Sequence, residues 1–177
     1  VINSSNFYWD SIQKVYYVRN KKYSKIKPEN EVFGWHPYWM GSAWESYPFE
    51  LLSTISYFSY KLDPKTGSYT NPQQMIEWRN TAMIDSAKLK KTKVLLTVSS
   101  HGYKNNNSFL GDQAKWGVLI DSLSNLLLDR DADGVDINFE NLPYLKRGSF
   151  NRFIEELRKR LNQKLGAKTP IISLTLP

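Results

Sequence analysis

The feature that most constrains the fold is a regular alternation of two kinds of segment after residue 30. Short runs rich in β-branched and aromatic residues alternate with longer segments whose apolar residues recur every three or four positions. The short runs lie at 31–35, 53–60, 93–100, 133–140 and 170–176. Strands that alternate with helices form right-handed crossovers and therefore a parallel sheet. We predict an α/β fold whose strands are apolar on both faces, because helices cover such sheets.

Three helices are predicted between these strands. The first spans 72–90, the second spans 112–129, and the third is capped by Ser149 and ends at Gly166. Each has the apolar face of an amphipathic helix. These faces consist of Ile76, Met83, Ile84 and Ala87 in the first, of Trp116, Leu119, Ile120, Leu123, Leu126 and Leu127 in the second, and of Phe150, Phe153, Ile154, Leu157 and Leu161 in the third.

Composition limits the class of protein. The chain has 177 residues, 41% of them hydrophobic, which suffices for one core and one domain. We predict a leader at residues 1–30, in which QKVYYVR is a short strand, and a domain at residues 31–177. The absence of cysteine excludes disulfides and thiolate metal sites, and no apolar run reaches the length of a membrane span.

The net charge of +7 raises the question of a phosphate-bearing partner. The Lys and Arg residues are scattered, which favours a solvated surface over a nucleic-acid interface. A nucleotide- or phosphate-binding α/β domain stays an alternative, although neither a G-x-G-x-x-G motif nor a Walker loop is present.

The stretch DGVDINFE at 133–140 carries polar side chains along one side of a predicted strand. Side chains alternate faces, so Asp136, Asn138 and Glu140 share one side. Neighbours two apart lie roughly 6.5–7 Å apart along the strand. Buried carboxylates are costly unless they are paired or used. Glu140 lies nearest the carboxyl end, where barrel enzymes hold catalytic groups, and is our candidate general acid.

This stretch resembles the D-G-x-D-x-D-x-E signature of family 18 glycoside hydrolases, the chitinase-like (β/α)₈ TIM barrels, in which the signature lies on the fourth strand. KVLLTVSSHG (93–102) is similar to the family's third strand, which ends in S-x-G-G, and VFGWHPYW (32–39) resembles the first. The resemblance covers residues 31–177 and implies about five of eight strands. We therefore expect a partial barrel that belongs to a longer protein, with the remaining strands supplied by its C-terminal part.

The resemblance implies a glycosidase without cofactor or metal that acts on β-1,4-linked N-acetylglucosamine glycans such as chitin, chitooligosaccharides or peptidoglycan-like polymers. Hydrolysis is substrate-assisted and retaining. Glu140 would protonate the leaving oxygen, and Asn138 would orient the acetamido group. Asp136 and Asp133 would be the deeper acids that share the proton of the row. Secretion or a cell-envelope location is implied as well.

Asn138 is the main departure, because the family has aspartate there. An amide accepts a hydrogen bond from the acetamido N–H, but it carries no charge to balance a positive intermediate. Two functions therefore stay open, a hydrolase of reduced activity and a lectin-like relative that binds the same glycans without cutting them.

Six further residues are candidate substrate contacts. Trp35, Tyr38 and Trp39 follow the first strand, where rings either stack on sugars or pack in the core. Tyr57 on the second strand is a candidate to face the interior near Glu140, although periodicity alone does not decide its direction. The resemblance adds Ser99 and Gly102, at the end of the third strand.

Two polar features are assigned a structural role. His36 and His101, the two histidines of the chain, are interpreted as hydrogen-bonding groups and not as metal ligands. KNNNS at 104–108 is predicted to be a polar loop. It contains an N-glycosylation sequon at Asn106.

Overall fold

The computed structural model describes the backbone of residues 7–10 and 15–18 and, with side chains, residues 29–166 and 169–175. Strands β1 (Phe7–Asp10) and β2 (Val15–Val18) pair antiparallel. The strand predicted within QKVYYVR is therefore confirmed as β2. The remainder of the predicted leader up to residue 28 lies outside the described residues, and the boundary at residue 30 stays a prediction.

Five parallel strands follow and lie in the sheet in chain order. They are β3 (Phe33–Pro37), β4 (Thr54–Lys61), β5 (Lys93–His101), β6 (Gly134–Glu140) and β7 (Ile171–Thr175). All five predicted strands are thus confirmed, with ends shifted by one or two residues. The architecture is a partial barrel of the (β/α)₈ type. Within the described part of the chain the sheet is open, and β3 and β7 form its edges.

Helices connect these strands. They are α1 (Pro72–Asn80), α2 (Ala82–Leu89), α3 (Tyr103–Leu110), α4 (Gln113–Arg130) and α5 (Arg147–Leu165), with 3₁₀ segments at Tyr38–Ser46, Phe49–Leu51 and Tyr144–Lys146. The apolar face predicted for α4 is confirmed, because all six of its residues are buried. In the described residues, no helix combines the length and the apolar character that crossing a membrane requires.

The single helix predicted over 72–90 is wrong. Thr81 interrupts it with an extended backbone, and its Oγ1 accepts a hydrogen bond from the Met83 amide at 3.2 Å, which starts α2. The break resets the helical phase, so Ile76 is 52% exposed and α1 buries Met75 and Trp78 instead. The apolar face predicted over 72–90 is therefore not continuous in the structure.

Two other boundaries differ from the prediction. The loop predicted at 104–108 is part of α3, and α5 begins at Arg147, so that Ser149 lies inside the helix and does not cap it. Lys146 occupies the cap position without a side-chain hydrogen bond. The predicted stop at Gly166 is confirmed; its φ of +60° favours glycine after a helix.

The two faces of the sheet differ in polarity. The outer face is apolar and packs on the helices, as where Phe139 of β6 lies parallel to Phe153 of α5 with ring centroids 6.0 Å apart. The prediction of two apolar faces is wrong for the inner face. There Ser56 and Thr97 share a hydrogen bond of 2.6 Å, and Ser59 and Ser99 one of 2.8 Å. Polar side chains are tolerated inside because they pair with one another.

At Gly134, the backbone of β7 leaves no room for a side chain on β6. A Cβ added to it would lie 1.9 Å from the carbonyl oxygen of Ile171. We therefore expect Gly134→Ala to lower the free energy of unfolding by about 1–3 kcal/mol, as overpacking does. Gly117→Ala is the matched control, since its new methyl would meet only the Arg160 side chain at 3.4 Å. Urea denaturation of both variants checks this, and equal midpoints would contradict it.

Candidate active site

Glu140 and His101 lie side by side where their strands end. They are register partners on β6 and β5, and His101 Nδ1 lies 3.4 Å from Glu140 Oε2. Both side chains are about half exposed, at 49% for His101 and 50% for Glu140. The predicted acid is therefore at the carboxyl end of its strand and open to solvent, where a reactant can reach it.

Asp136 lies deeper on the same face and is fully buried. Its Oδ2 accepts hydrogen bonds from Trp35 Nε1 at 3.0 Å and from Thr97 Oγ1 at 3.2 Å. Its Oδ1 accepts one from Thr175 Oγ1 at 3.3 Å. Three donors satisfy a carboxylate that would otherwise be costly to bury. Asp136 thereby links β6 to β3, β5 and β7 and fixes the Trp35 ring at the inner edge of the sheet.

Asn138 lies between these two acids along β6 and is only 8% exposed. Its Oδ1 is buried and has no hydrogen-bond partner among the described residues. A buried acceptor left unpaired costs about 1–3 kcal/mol. An N–H donor that reached this oxygen would relieve that cost.

Asp133 is not brought to the row. It precedes β6, and its Oδ2 accepts a hydrogen bond from the Val94 amide at 2.8 Å. This bond lies at the amino end of the strands, whereas Glu140 lies at their carboxyl end. Asp133 also has the opposite parity to Asp136 in the strand. In this structure it anchors the start of β6 and cannot pass a proton to Glu140.

A groove of about 460 Å³ adjoins His101. Tyr38, Trp39, Ser99 and Lys61 also line it. Trp39 is 62% exposed. Its ring packs edge-on against the Tyr38 ring, with centroids 5.1 Å apart, and against the Phe58 ring, with centroids 5.8 Å apart. The structure therefore brings Tyr38 and Trp39 of the 3₁₀ segment to the groove that His101 also lines. Contact between these rings and a sugar stays a prediction.

Tyr57 lies elsewhere, and its predicted position near Glu140 is wrong. It faces the outer layer, where it is fully buried beside Trp78 at a ring distance of 5.7 Å. Its hydroxyl donates to the Gln74 carbonyl at 3.4 Å. Burial raises the pKa of the Tyr57 phenol above its usual range. Tyr57 is a core residue because strand alternation sends Ser56, not Tyr57, inward.

The other two predicted contacts lie at the end of β5. Ser99 faces the inner side and is nearly buried, bonded to Ser59. Gly102 starts α3 with a φ of +96°, and its amide donates to the Glu140 carbonyl at 3.2 Å. Gly102 therefore supports the backbone of the candidate acid directly.

Asn106 is a site residue that sequence reasoning missed. It is fully buried; its Oδ1 accepts from Ser100 Oγ at 2.7 Å, and its Nδ2 donates to the Glu140 carbonyl at 2.6 Å. The only indication of Asn106 in the sequence was the run KNNNS at 104–108, which was interpreted as a loop. Because both polar atoms of this buried amide are already hydrogen-bonded, Asn106 is a poor acceptor for N-glycosylation. The asparagine of the sequon is explained by this structural role.

We expect Asn106→Ala to lower the free energy of unfolding by about 1–3 kcal/mol, because the Glu140 carbonyl and Ser100 both lose a buried partner. Asn107→Ala is the matched control on the same helix, at an exposed position, with an expected change within about 0.5 kcal/mol. Thermal or urea unfolding measures both. Equal losses in the two variants would argue against this role of Asn106.

His36 has a structural environment. It is buried, and its Nδ1 lies 3.2 Å from the Tyr47 hydroxyl. Burial lowers the pKa of His36. Within the residues that the structure describes, no group of three His, Asp or Glu side chains is placed to hold a metal ion.

Comparison with known proteins adds the family. The sequence model described as "Glycosyl hydrolases family 18" matches residues 13–177. A search of curated proteins found no significant match.

Solved structures of similar fold include a chitinase from Bacteroides thetaiotaomicron, with a TM-score of 0.67 at 15% identity, covering 82% of this chain and 46% of that one. The spore cortex-lytic enzyme SleL of Bacillus cereus gives a TM-score of 0.64 at 16% identity, covering 82% and 35%. A chitinase from Cycas revoluta in complex with (GlcNAc)3 gives 0.68 at 16%, covering 81% and 45%. The chain thus spans less than half the length of these structures, and the likeness shows the fold.

Proposed function

This chain belongs to the family 18 glycosyl hydrolases, and from that premise we propose that it forms part of a glycosidase that cleaves β-1,4-linked N-acetylglucosamine glycans. The proposed reaction is substrate-assisted and retaining, with Glu140 as the general acid and base. The (GlcNAc)3 bound by the Cycas revoluta chitinase represents the class of ligand that we expect here.

The observation that carries the proposal is the unpartnered Oδ1 of Asn138 below Glu140. An acetamido N–H that donates to this oxygen would lie beside the acid, because residues two apart on a strand face are roughly 6.5–7 Å apart. A sugar without this group would leave the acceptor unpaired. The site is therefore suited to a 2-acetamido sugar.

The proposed chemistry needs one proton donor and no cofactor. Glu140 gives its proton to the glycosidic oxygen as the bond from that oxygen to C1 breaks. The acetamido oxygen then forms a bond to C1, and Asn138 orients it by accepting the acetamido N–H. In the second step water attacks C1 and gives its proton to Glu140, and the bond between C1 and the acetamido oxygen breaks. The acid is restored, and configuration at C1 is retained.

A non-hydrolytic glycan-binding relative is the second candidate, and Asn138 favours it. A neutral amide preserves the ligand hydrogen bond but leaves the positive intermediate without a counter-charge. Such a protein would bind chitooligosaccharides in the groove and release no new reducing ends.

The decisive test is turnover of a fluorogenic N,N′-diacetylchitobioside by the longest form of the protein that can be produced. The matched control substrate is the same reporter on cellobioside, which has a hydroxyl in place of each acetamido group. We expect release from the first reporter only. Equal release from both would exclude the substrate-assisted reaction, and binding of chitooligosaccharides without release would establish the glycan-binding alternative.

We extend the proposal to location. Chitin and peptidoglycan-like polymers lie in cell walls or outside cells, so we expect a secreted or cell-envelope protein. Immunodetection in wall, extracellular and cytosolic fractions of the source cells tests this, and recovery in the cytosol alone would contradict it.

A further inference from the structure

The polar row on β6, which consists of Asp136, Asn138 and Glu140, is interrupted by a residue that does not titrate. Asn138, between the two acids, has an amide that neither gains nor loses a proton near neutral pH. Asp136 is buried and already bonded to three donors. Glu140 therefore has no titratable neighbour at the next position of its own strand. Its acidic or basic contact within 4 Å, as far as the described residues go, is His101 on the adjacent strand.

We propose that His101 is a positioning residue for Glu140. Its Nδ1, 3.4 Å from Glu140 Oε2, would hold the carboxyl group in place at the end of β6. The pairing itself is independent of the proposed function, whereas its effect on the rate rests on that function.

The backbones of His101 and Glu140 are held in place by strand pairing and by hydrogen bonds from α3. His101 and Glu140 are directly opposed in the parallel register of β5 and β6. Asn105 Nδ2 donates to the His101 carbonyl at 2.9 Å, and Asn106 Nδ2 donates to the Glu140 carbonyl. Two side chains of α3 thus fix the strand ends from which the imidazole and the carboxylate project. The 3.4 Å separation of Nδ1 and Oε2 needs only a small adjustment to become a hydrogen bond.

The other groups near His101 do not replace Glu140 as its partner. Lys61 of β4 and Tyr38 of the 3₁₀ segment line the same groove. Tyr103, at the start of α3, is 58% exposed. In the described part of the chain no carboxylate lines the groove, so Glu140 is the anionic partner of His101.

The geometry predicts a specific kinetic effect. A residue that acts through the orientation of the Glu140 carboxyl group should affect kcat and leave KM unchanged. We expect His101→Ala to lower kcat roughly 2- to 5-fold, the scale of one partly exposed ion pair.

The pairing is tested by comparing the imidazole NMR resonances of the two histidines in the wild type and in Glu140→Gln at one pH. We expect the His101 resonances to move, because its Nδ1 faces Glu140 Oε2. His36 is the internal control and should not move, because it is buried against Tyr47. The kcat and KM of His101→Ala, measured beside the wild type on the diacetylchitobioside reporter, test the effect on the rate.

Each outcome decides the proposal. Moved His101 resonances with unchanged His36 resonances support the pair, and a lower kcat at unchanged KM in His101→Ala supports its role in turnover. Unchanged His101 resonances, or equal changes in both histidines, overturn the pairing. An unchanged kcat in His101→Ala, or a change in KM alone, overturns its effect on the rate. If no form of the protein turns over the reporter, the proposed function fails, and the NMR comparison still decides the pairing.

Discussion

Glu140→Gln is expected to lower kcat on the diacetylchitobioside reporter by 10²-fold or more while changing the affinity for chitooligosaccharides little. The amide has nearly the shape of the acid but cannot give a proton to the leaving oxygen, and general acid catalysis contributes about 10²–10⁴-fold. The neighbourhood should remain intact, because the Glu140 backbone is held by Gly102 and Asn106. Initial rates measure turnover, and isothermal titration calorimetry measures binding.

Glu155→Gln is the matched control for this prediction. It makes the same chemical change on α5, at an exposed position on the outer side of the sheet, and should leave both kcat and affinity unchanged. Full activity in Glu140→Gln would exclude Glu140 as the acid. Loss of binding together with turnover would instead indicate that the carboxylate itself holds the glycan.

The parts of this fold that could be predicted from the sequence are those that depend on local patterns. The five parallel strands follow from apolar runs, and α4 from an uninterrupted stripe between an Asp112 cap and an Asp131 in the left-handed conformation. The side shared by Asp136, Asn138 and Glu140 follows from alternation alone. A strand fixes the relative direction of its own side chains without reference to its neighbours.

The parts that could not be predicted depend on contacts between distant segments. Alternation does not tell which parity of β4 faces inward, so Tyr57 was placed on the wrong side. The partnership of His101 with Glu140 arises from a register between residues 39 positions apart. Asn106 is buried because α3 packs its polar side onto the ends of two strands, which no run of asparagines indicates. The polar inner face likewise exists only because hydroxyls on neighbouring strands pair.

Asn138→Asp is the second large effect. If the chain hydrolyses its glycan by the proposed route, this substitution should raise kcat by about 10²-fold, the scale of one group aimed at transition-state charge. A carboxylate at this position keeps the acceptor for the acetamido N–H and adds a negative charge beside the positive intermediate. It can also take up a proton between Asp136 and Glu140. Initial rates on the diacetylchitobioside reporter measure the gain.

Asn138→Ala separates charge from hydrogen bonding. It removes the acceptor, so the affinity for chitooligosaccharides should fall roughly 2- to 10-fold, the value of one neutral hydrogen bond, with no gain in kcat. A gain in kcat for both variants would show that the Asn138 side chain merely obstructs the site. No gain in Asn138→Asp, with turnover still lost in Glu140→Gln, would mean that the positive intermediate is balanced elsewhere.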